Sequence, residues 1–481
     1  MQSLFERLAL RPERVIVLFS LALLLAGNWI LPLTDRDEVR FAEASREMIQ
    51  RGDYVVPWFN GTWRLDKPPL IYWCQITSYK ILGVNGFAAR LPSALFTTGT
   101  ALLLVRWGRK IAGAKAGLLA GLIFVAGLHI ALIGRMATAD MALVFFFTLA
   151  VWSGWELTRP ELGPPLRWWW IFYLALALGF LAKGPEIWLP LVGLILGRSF
   201  RGQNFRLPLL ATLAGFVLSI ALMAIWGIPA LMETHGQFLN VGLGEHVLHR
   251  SVGVINDHGF AGLAGLIALL PLYFLTFFVS FFPWSLRMPS RLIRWWPERR
   301  HDIIGWYLLV QAAVVFIVFS LVATKLPHYT LPAFPCISLW LALQIVPEKN
   351  SGAWVIKRAV GMAIFIALLM FGFFSFAKDY FLTENLWRAV QPHIRPETKV
   401  GCFGFTESSL VWRLRGGTTN DIVLGPEKGA ADFLTNPPPF ILVLPTRDVA
   451  GLPDSYGIQI PVHGLDIVKV KNWDLTVIVR P

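Results

Sequence analysis

Charged side chains are scarce in this chain: Asp, Glu, Lys and Arg make up 15% of its 481 residues, where an ordinary soluble domain carries about 25%. That is too little charge to solvate a globular surface. Cysteine is scarcer still. Cys74, Cys336 and Cys402 lie far apart with no C-x-x-C spacing, which argues against a disulfide framework and against a thiolate metal site. Two phosphate-binding devices are missing, since neither a G-x-x-x-x-G-K-[ST] loop nor a G-x-G-x-x-G fingerprint occurs, so no nucleotide pocket of either kind is expected. Acid is outnumbered, with 30 Asp and Glu against 43 Lys and Arg and a net charge of +13. The basic residues fall in short clusters between apolar runs, where they set membrane orientation, and nucleic acid is not an expected partner.

What fills the chain instead is apolar: 55% hydrophobic residues, with 21 Trp and 35 Phe, and a mean hydropathy of +0.57. Runs near 15–33, 88–107, 116–134, 141–157, 168–182, 186–198, 207–229, 261–283, 303–322, 330–346 and 355–377 are spanning candidates at about 20 residues per crossing. They predict a polytopic α-helical membrane protein of about 11 to 13 transmembrane helices. Arg7, Arg11 and Arg14 precede the first run as in a signal peptide, but no small-residue cleavage site comes after it, so the run is expected to stay as the first helix. Basic clusters at Arg106 to Lys115, Arg198 to Arg206, Arg287 to Arg300 and Lys349 to Arg358 fall on alternate connections, which makes those connections and the N-terminus cytoplasmic. The other loops, and a C-terminal tail, then lie outside. Two outer segments are long, 34–87 and 378–481, and the tail carries β-like runs at 400–405, 440–444 and 475–479 between Gly, Pro and Asn turns. The expected division is a transmembrane domain over 1–377 with a small C-terminal α/β domain over 378–481. Gly113, Gly117 and Gly121 at four-residue spacing predict close helix approach.

The first outer loop is unusual in its chemistry. Asp37-Glu38-Val39-Arg40-Phe41-Ala42-Glu43, then Arg46 and Glu47, reads on pattern alone as an interfacial helix laced by i,i+3 and i,i+4 charge pairs. The rest of the loop and the start of the next run add Gly52-Asp53-Tyr54-Val55-Val56-Pro57, Lys67-Pro68-Pro69-Leu70-Ile71-Tyr72-Trp73 and Phe87-Ala88-Ala89-Arg90-Leu91-Pro92-Ser93. This ordered series closely resembles the bacterial lipid A aminoarabinose transferase family and, more loosely, the protein mannosyltransferases, both polytopic C-type glycosyltransferases. The resemblance continues through Arg135 to Asp140, Ala182-Lys183-Gly184-Pro185, Glu245-His246 and Thr324-Lys325-Leu326-Pro327-His328-Tyr329. It runs over most of residues 15–345 and fades in the tail.

The resemblance implies a C-type glycosyltransferase fold in a bacterial inner membrane, with the active site and the tail facing the periplasm. It implies a sugar taken from a polyprenyl phosphate and passed to lipid A or a related envelope glycolipid. Such chemistry needs a carboxylate near acceptor and sugar, and cations to meet the charge that develops on the departing lipid phosphate. Asp37 matches the family's active-site aspartate, as general base or as a group that orients the acceptor; Glu38 and Glu43 are the runners-up. Asp140 matches the family's second acid, and equally reads as an N-cap for the adjoining helix. Lys67, presented by a rigid Pro-Pro turn, would grip the donor phosphate as a point charge. Arg250 and Tyr329 are further phosphate contacts, with His249 standing where one common family form has its arginine. Lys325 and His328 are secondary candidates, because an unpaired cation at that depth is costly. Some members hold a structural zinc between an acid and a loop histidine, which here would be Asp66 and His246. An acid and a single His make too weak a signal to expect a metal, and no other cofactor is expected.

Aminoarabinose is the first choice of sugar, with a uronic acid or a hexose open. A protein O-mannosyltransferase is the rival of the same class. A lipid or sugar transporter is the rival of another class, disfavoured because the chain shows no internal repeat and carries a long charged first loop with Lys67-Pro68-Pro69.

Overall fold

The computed structural model describes residues 1–33, 36–158, 166–199, 209–242, 244, 271–449, 457–466 and 470–481. The chain divides into two compact units: Met1–Ala26, Leu65–Cys74 and Arg90–Ile366 form the first, and Gly27–Arg64, Gln75–Ala89 and Ala367–Pro481 the second.

The first unit is helical throughout, as its long apolar runs require. Among the described residues, six helices of the chain are long and apolar enough to cross a bilayer: Gly86–Val125, Asp140–Leu157, Leu166–Lys183, Leu209–Glu233, Ile303–Leu321 and Ser351–Tyr380. Other expected spans are shorter than read. The run at 186–198 becomes a 3-10 turn, Pro185–Trp188, and an 11-residue helix, Leu189–Ser199. At 1.5 Å per residue that helix covers about 17 Å, short of a hydrocarbon core of about 30 Å. The run at 330–346 likewise splits into Pro327–Ala333 and Phe334–Ile345, because Pro327 and Pro332 interrupt it. The spans expected at 88–107 and 116–134 join in one helical stretch, broken at Ala112 and Gly113 (φ +84°). Gly113 therefore makes the turn, while Gly117 makes the close approach: a Cβ there would lie 2.2 Å from the Val105 carbonyl oxygen. Residues 261–270 of the run at 261–283 lie outside the described residues, and the rest holds the helix Leu272–Ser280.

Several buried polar groups tie these helices together by hydrogen bonds across helix pairs. The Tyr307 hydroxyl donates to the Val151 carbonyl at 2.8 Å, Gln311 to the Pro190 carbonyl at 3.2 Å, and Ser219 to the Tyr173 carbonyl at 3.0 Å.

The second unit holds the tail and much of the first loop. Its sheet has the order β4-β3-β5-β7-β6, with β3 Lys399–Phe403, β4 Val423–Gly425, β5 Phe440–Pro445, β6 Ile458–Asp466 and β7 Lys471–Arg480. Strands β3, β4 and β5 run parallel, and β5, β7 and β6 antiparallel. Alternation puts Val400, Cys402, Ile441, Val443 and Val477 in one core, with Phe403, Leu442, Leu444 and Ile478 in the other. Both faces are thus covered, which is why β5 is buried at every position.

From the first loop, Trp58–Phe59 (β1) and Thr62–Trp63 (β2) form a hairpin around Asn60 and Gly61, both at positive φ, as an Asn-Gly turn demands. The helix Arg36–Arg51 carries the charge pairs expected of it, Arg46 with Glu43 and Arg51 with Glu47. Its environment differs from a membrane surface. Glu43 and Glu47 are fully buried, with Arg415 of the tail 3.7 Å and 3.9 Å away. Arg46 donates to the Trp412 carbonyl at 3.1 Å and stacks 4.7 Å from the Trp412 ring. The carboxylate of Glu47 accepts the backbone N–H groups of Asn60 and Gly61, and the Asn60 amide pairs both ways with the Ile422 backbone at 2.8 Å. Burial pushes the Glu43 carboxyl up to about 8, against the pull of Arg46 and Arg415 and with the charge of Glu47 adding to the rise.

Candidate active site

In the first unit, the helix Leu166–Lys183 ends in a cation. Gly184 comes next at φ +115°, a conformation open to glycine, and Pro185 turns the chain into its 3-10 segment. The bend leaves Lys183 on the wall of a cavity of about 700 Å³. Its side chain is only 6% exposed; Nζ donates to Asp140 Oδ1 at 2.9 Å and stands 3.4 Å from Glu186 Oε2. The Tyr329 ring lies 5.3 Å from the same ammonium.

Asp140 opens the helix Asp140–Leu157, but the cap residue is Ala139 and no side chain caps that end. Of its two readings, the cap is not what the structure shows. The carboxylate is instead the buried counter-ion of Lys183.

Asp66, Lys67 and Pro68 line the same cavity. Its lining includes two cations, Lys67 and Lys183, and the acids Asp66 and Glu186, with Tyr329 beside Lys183. The rest of the lining is mostly apolar, with Phe180, Trp188, Phe216, Ile220, Met223 and Phe319 among its residues. A mostly apolar recess that also carries ammonium groups suits an amphiphile with an anionic head.

Of the residues singled out from sequence, the cavity thus gathers Lys67 and Tyr329, and Asp140 through Lys183. Lys325 is engaged by the backbone. Its ammonium donates to the carbonyls of Phe319, Ser320 and Val322 at the C-terminal end of Ile303–Leu321, where helix carbonyls lack intrahelical partners. Its three donors are used, and none is left for a phosphate. Asp37 and Glu38 belong to the second unit, in the first turn of Arg36–Arg51. Asp37 is exposed and Glu38 is buried, so the carboxylate open to a substrate is that of Asp37. Glu245, His246, His249 and Arg250 lie outside the described residues. Among the described residues no group of three or more His, Cys, Asp and Glu comes together, and Asp66 is the described half of the acid–histidine pair.

The sequence gives Lys183 no role beyond its place in Ala182-Lys183-Gly184-Pro185, and it does not single out Glu186. The signal for Lys183 was a lone cation closing an apolar run before Gly184-Pro185, a costly place for an unpaired charge.

The fold is known from solved structures. ArnT from Cupriavidus metallidurans bound to undecaprenyl phosphate superimposes with a TM-score of 0.78 at 16% identity, over 96% of this chain and 97% of that one. The two chains therefore share one polytopic helical fold. The dolichyl-phosphate-mannose-protein mannosyltransferase family matches residues 66–226. A relative from Aquifex aeolicus (strain VF5), named only as an uncharacterized protein, is 30% identical over 369 residues, 76% of this chain and 80% of its own. The undecaprenyl phosphate-alpha-4-amino-4-deoxy-L-arabinose arabinosyl transferase of Pectobacterium atrosepticum is 29% identical over 343 residues, 70% of this chain and 59% of that one. This chain belongs to one family with that Aquifex aeolicus protein, and is similar to the mannosyltransferase family over residues 66–226 and to the arabinosyl transferases over most of its length. It spans about three fifths of the length of the arabinosyl transferases it matches.

Proposed function

We propose that this protein takes a sugar from a polyprenyl-phosphate donor and transfers it to an envelope glycolipid on the periplasmic face of a bacterial inner membrane, with inversion at the anomeric carbon. The observation that carries the reading is the cavity of about 700 Å³, whose mostly apolar lining also holds the ammonium groups of Lys67 and Lys183. An isoprenoid chain fits the apolar wall, and the phosphate fits the ammonium groups of Lys67 and Lys183. An acceptor oxygen attacks the anomeric carbon as the bond from that carbon to the lipid phosphate breaks, and its electron pair leaves on the phosphate. Ammonium groups fixed in the lining meet the growing charge. A single displacement of this kind inverts the centre.

Asp37 orients the acceptor. If the acceptor is a phosphate of lipid A it is already an anionic nucleophile, since its second pKa is about 6; if it is a hydroxyl, Asp37 takes the proton. The arabinosyl transferases among the relatives support 4-amino-4-deoxy-L-arabinose as the sugar and lipid A as the acceptor. The alternating basic loops support about eleven crossings, with the tail outside.

Mass spectrometry of lipid A from cells with and without the gene tests this. An added pentosamine mass that depends on the gene is the expected result. Unchanged lipid A with altered glycoprotein would replace the reading by a protein O-mannosyltransferase. Asp37→Asn and Lys67→Ala should each lower transfer by about 100-fold, and wild-type transfer in both would sink the site assignment.

A further inference from the structure

The opposite end of the helical unit carries a second concentration of charge, which the proposed reaction does not use. The helix Met288–Glu298, entered through the 3-10 turn Trp284–Arg287, is amphipathic. Met288 and Trp295 are buried, whereas Ile293 is 73% and Trp296 57% exposed. Its arginines converge on one acid. Glu348 is met by Arg287 at 3.2 Å, by Arg291 in direct contact and by Arg294 at 3.8 Å. Three guanidiniums thus share one carboxylate. Arg358 adds to them, its guanidinium carbon and that of Arg287 each standing 4.0 Å from the centre of the Trp354 ring.

Arg291 is the most enclosed of the three. Its side chain is 11% exposed, and its buried Nε has no hydrogen-bond partner among the described residues. A cavity of about 490 Å³ opens beside it, lined by Arg291, Arg294, Trp295, Glu298, His301 and Asp302 together with Gln344. The Asp302 carboxylate is already committed: it accepts the Gly305 N–H at 2.8 Å, the Trp295 indole N–H at 2.8 Å and the Gln344 amide at 3.2 Å.

Membrane orientation needs basic residues in a loop; it does not need four guanidiniums drawn together against their repulsion. An anion from outside the chain would offset that cost. The exposed Ile293 and Trp296 say where it comes from, because an amphipathic helix with such a face lies at the boundary between headgroups and acyl chains. We propose that Arg291 and Arg294 grip the phosphate of an anionic phospholipid headgroup in the leaflet on the basic-loop face, with Arg287 and Arg358 reinforcing the positive field. This lipid is not the sugar donor. The 19-residue helix Ile303–Leu321, about 28 Å long, separates Asp302 from the loop that carries Tyr329, so the site stands or falls independently of the proposed reaction.

The test uses the full chain purified in a neutral detergent at low salt, titrated with dioleoylphosphatidylglycerol, dioleoylphosphatidylcholine or inorganic phosphate and read by native mass spectrometry. The phosphatidylglycerol should bind and the phosphatidylcholine should not displace it. Arg294→Gln should weaken binding about five-fold and Arg291→Gln/Arg294→Gln about 25-fold, at the usual worth of an arginine near an anionic surface. Arg294 is 71% exposed, so its substitution leaves folding intact and keeps the test decisive even if Arg291→Gln unfolds. Equal binding of the two lipids, or unchanged binding by Arg294→Gln, would overturn the proposal. So would displacement of the phosphatidylglycerol by inorganic phosphate, which would make the ligand a free anion.

Discussion

Replacing Asp140 by Asn leaves the Lys183 ammonium almost enclosed, with its 2.9 Å partner neutralised. Removing one member of a buried ion pair costs about 3–5 kcal/mol, because the remaining charge keeps its desolvation penalty. Glu186, 3.4 Å from Nζ, retains part of the compensation, so the loss should fall near about 3 kcal/mol. Asp140→Asn alone is therefore expected to be both less stable and less active, which does not separate structure from chemistry. The double variant Asp140→Asn/Lys183→Met does. With both charges gone, stability should return to within about 1 kcal/mol of wild type, since a buried pair contributes little net stability over an apolar substitute. Turnover should not return: loss of a fixed cation at the leaving phosphate costs about 10²–10³ in kcat. Thermal unfolding and turnover with a polyprenyl-phosphate sugar, measured on the same preparations, give the two readings. A double variant with wild-type turnover would refute the assignment of Lys183 to the donor phosphate and reduce the pair to packing.

Lys67→Ala, at a half-buried turn, should lower turnover by about 100-fold with no change in unfolding midpoint, checked by the same pair of measurements. Lys325→Met should do the reverse, destabilising by about 1–2 kcal/mol through the loss of its helix-end carbonyl contacts while the KM for donor stays unchanged; a raised KM would return Lys325 to the phosphate. The Glu43 carboxyl, raised to about 8 in the folded protein, binds its proton more tightly folded than unfolded. Its contribution is full below the ordinary carboxylate range and is lost as pH rises through about 8. Unfolding midpoints taken from pH 6 to 9 should therefore fall, and Glu43→Gln should flatten that fall.

Most of the helices were legible because an apolar run of membrane length has few other meanings. Their ends were not: 330–346 gives its first four residues to the 3-10 segment Pro327–Ala333, and the first run closes as Pro12–Leu25 ahead of Gly27 at φ +75°. In the tail, β3, β5 and β7 announce themselves by apolar content, whereas β6, with Gln459 and His463 on a mostly open edge strand, offers no such run. The first-loop helix shows why charge patterns mislead. Arg46 and Glu43 satisfy the surface rule at i,i+3, but the burial of Glu43 and Glu47 depends on Arg415, hundreds of residues later. Lys183 was hidden in the same way, since its meaning lies in Asp140, 43 residues earlier. The partners of Lys325 are backbone carbonyls, which no residue pattern displays.

The helix Leu209–Glu233 supplies Phe216, Ile220 and Met223 to the cavity wall, yet only 17% of its most apolar stretch is buried, and Leu210, Val217 and Ile225 face outward. The recess is thus a single helix away from the acyl chains. On the proposed reading, donor arrives sideways, by two-dimensional diffusion within the leaflet. The saturating variable is then the mole fraction of donor among the lipids, and rates taken at different amounts of total lipid should superimpose when plotted against that fraction and scatter when plotted against bulk concentration.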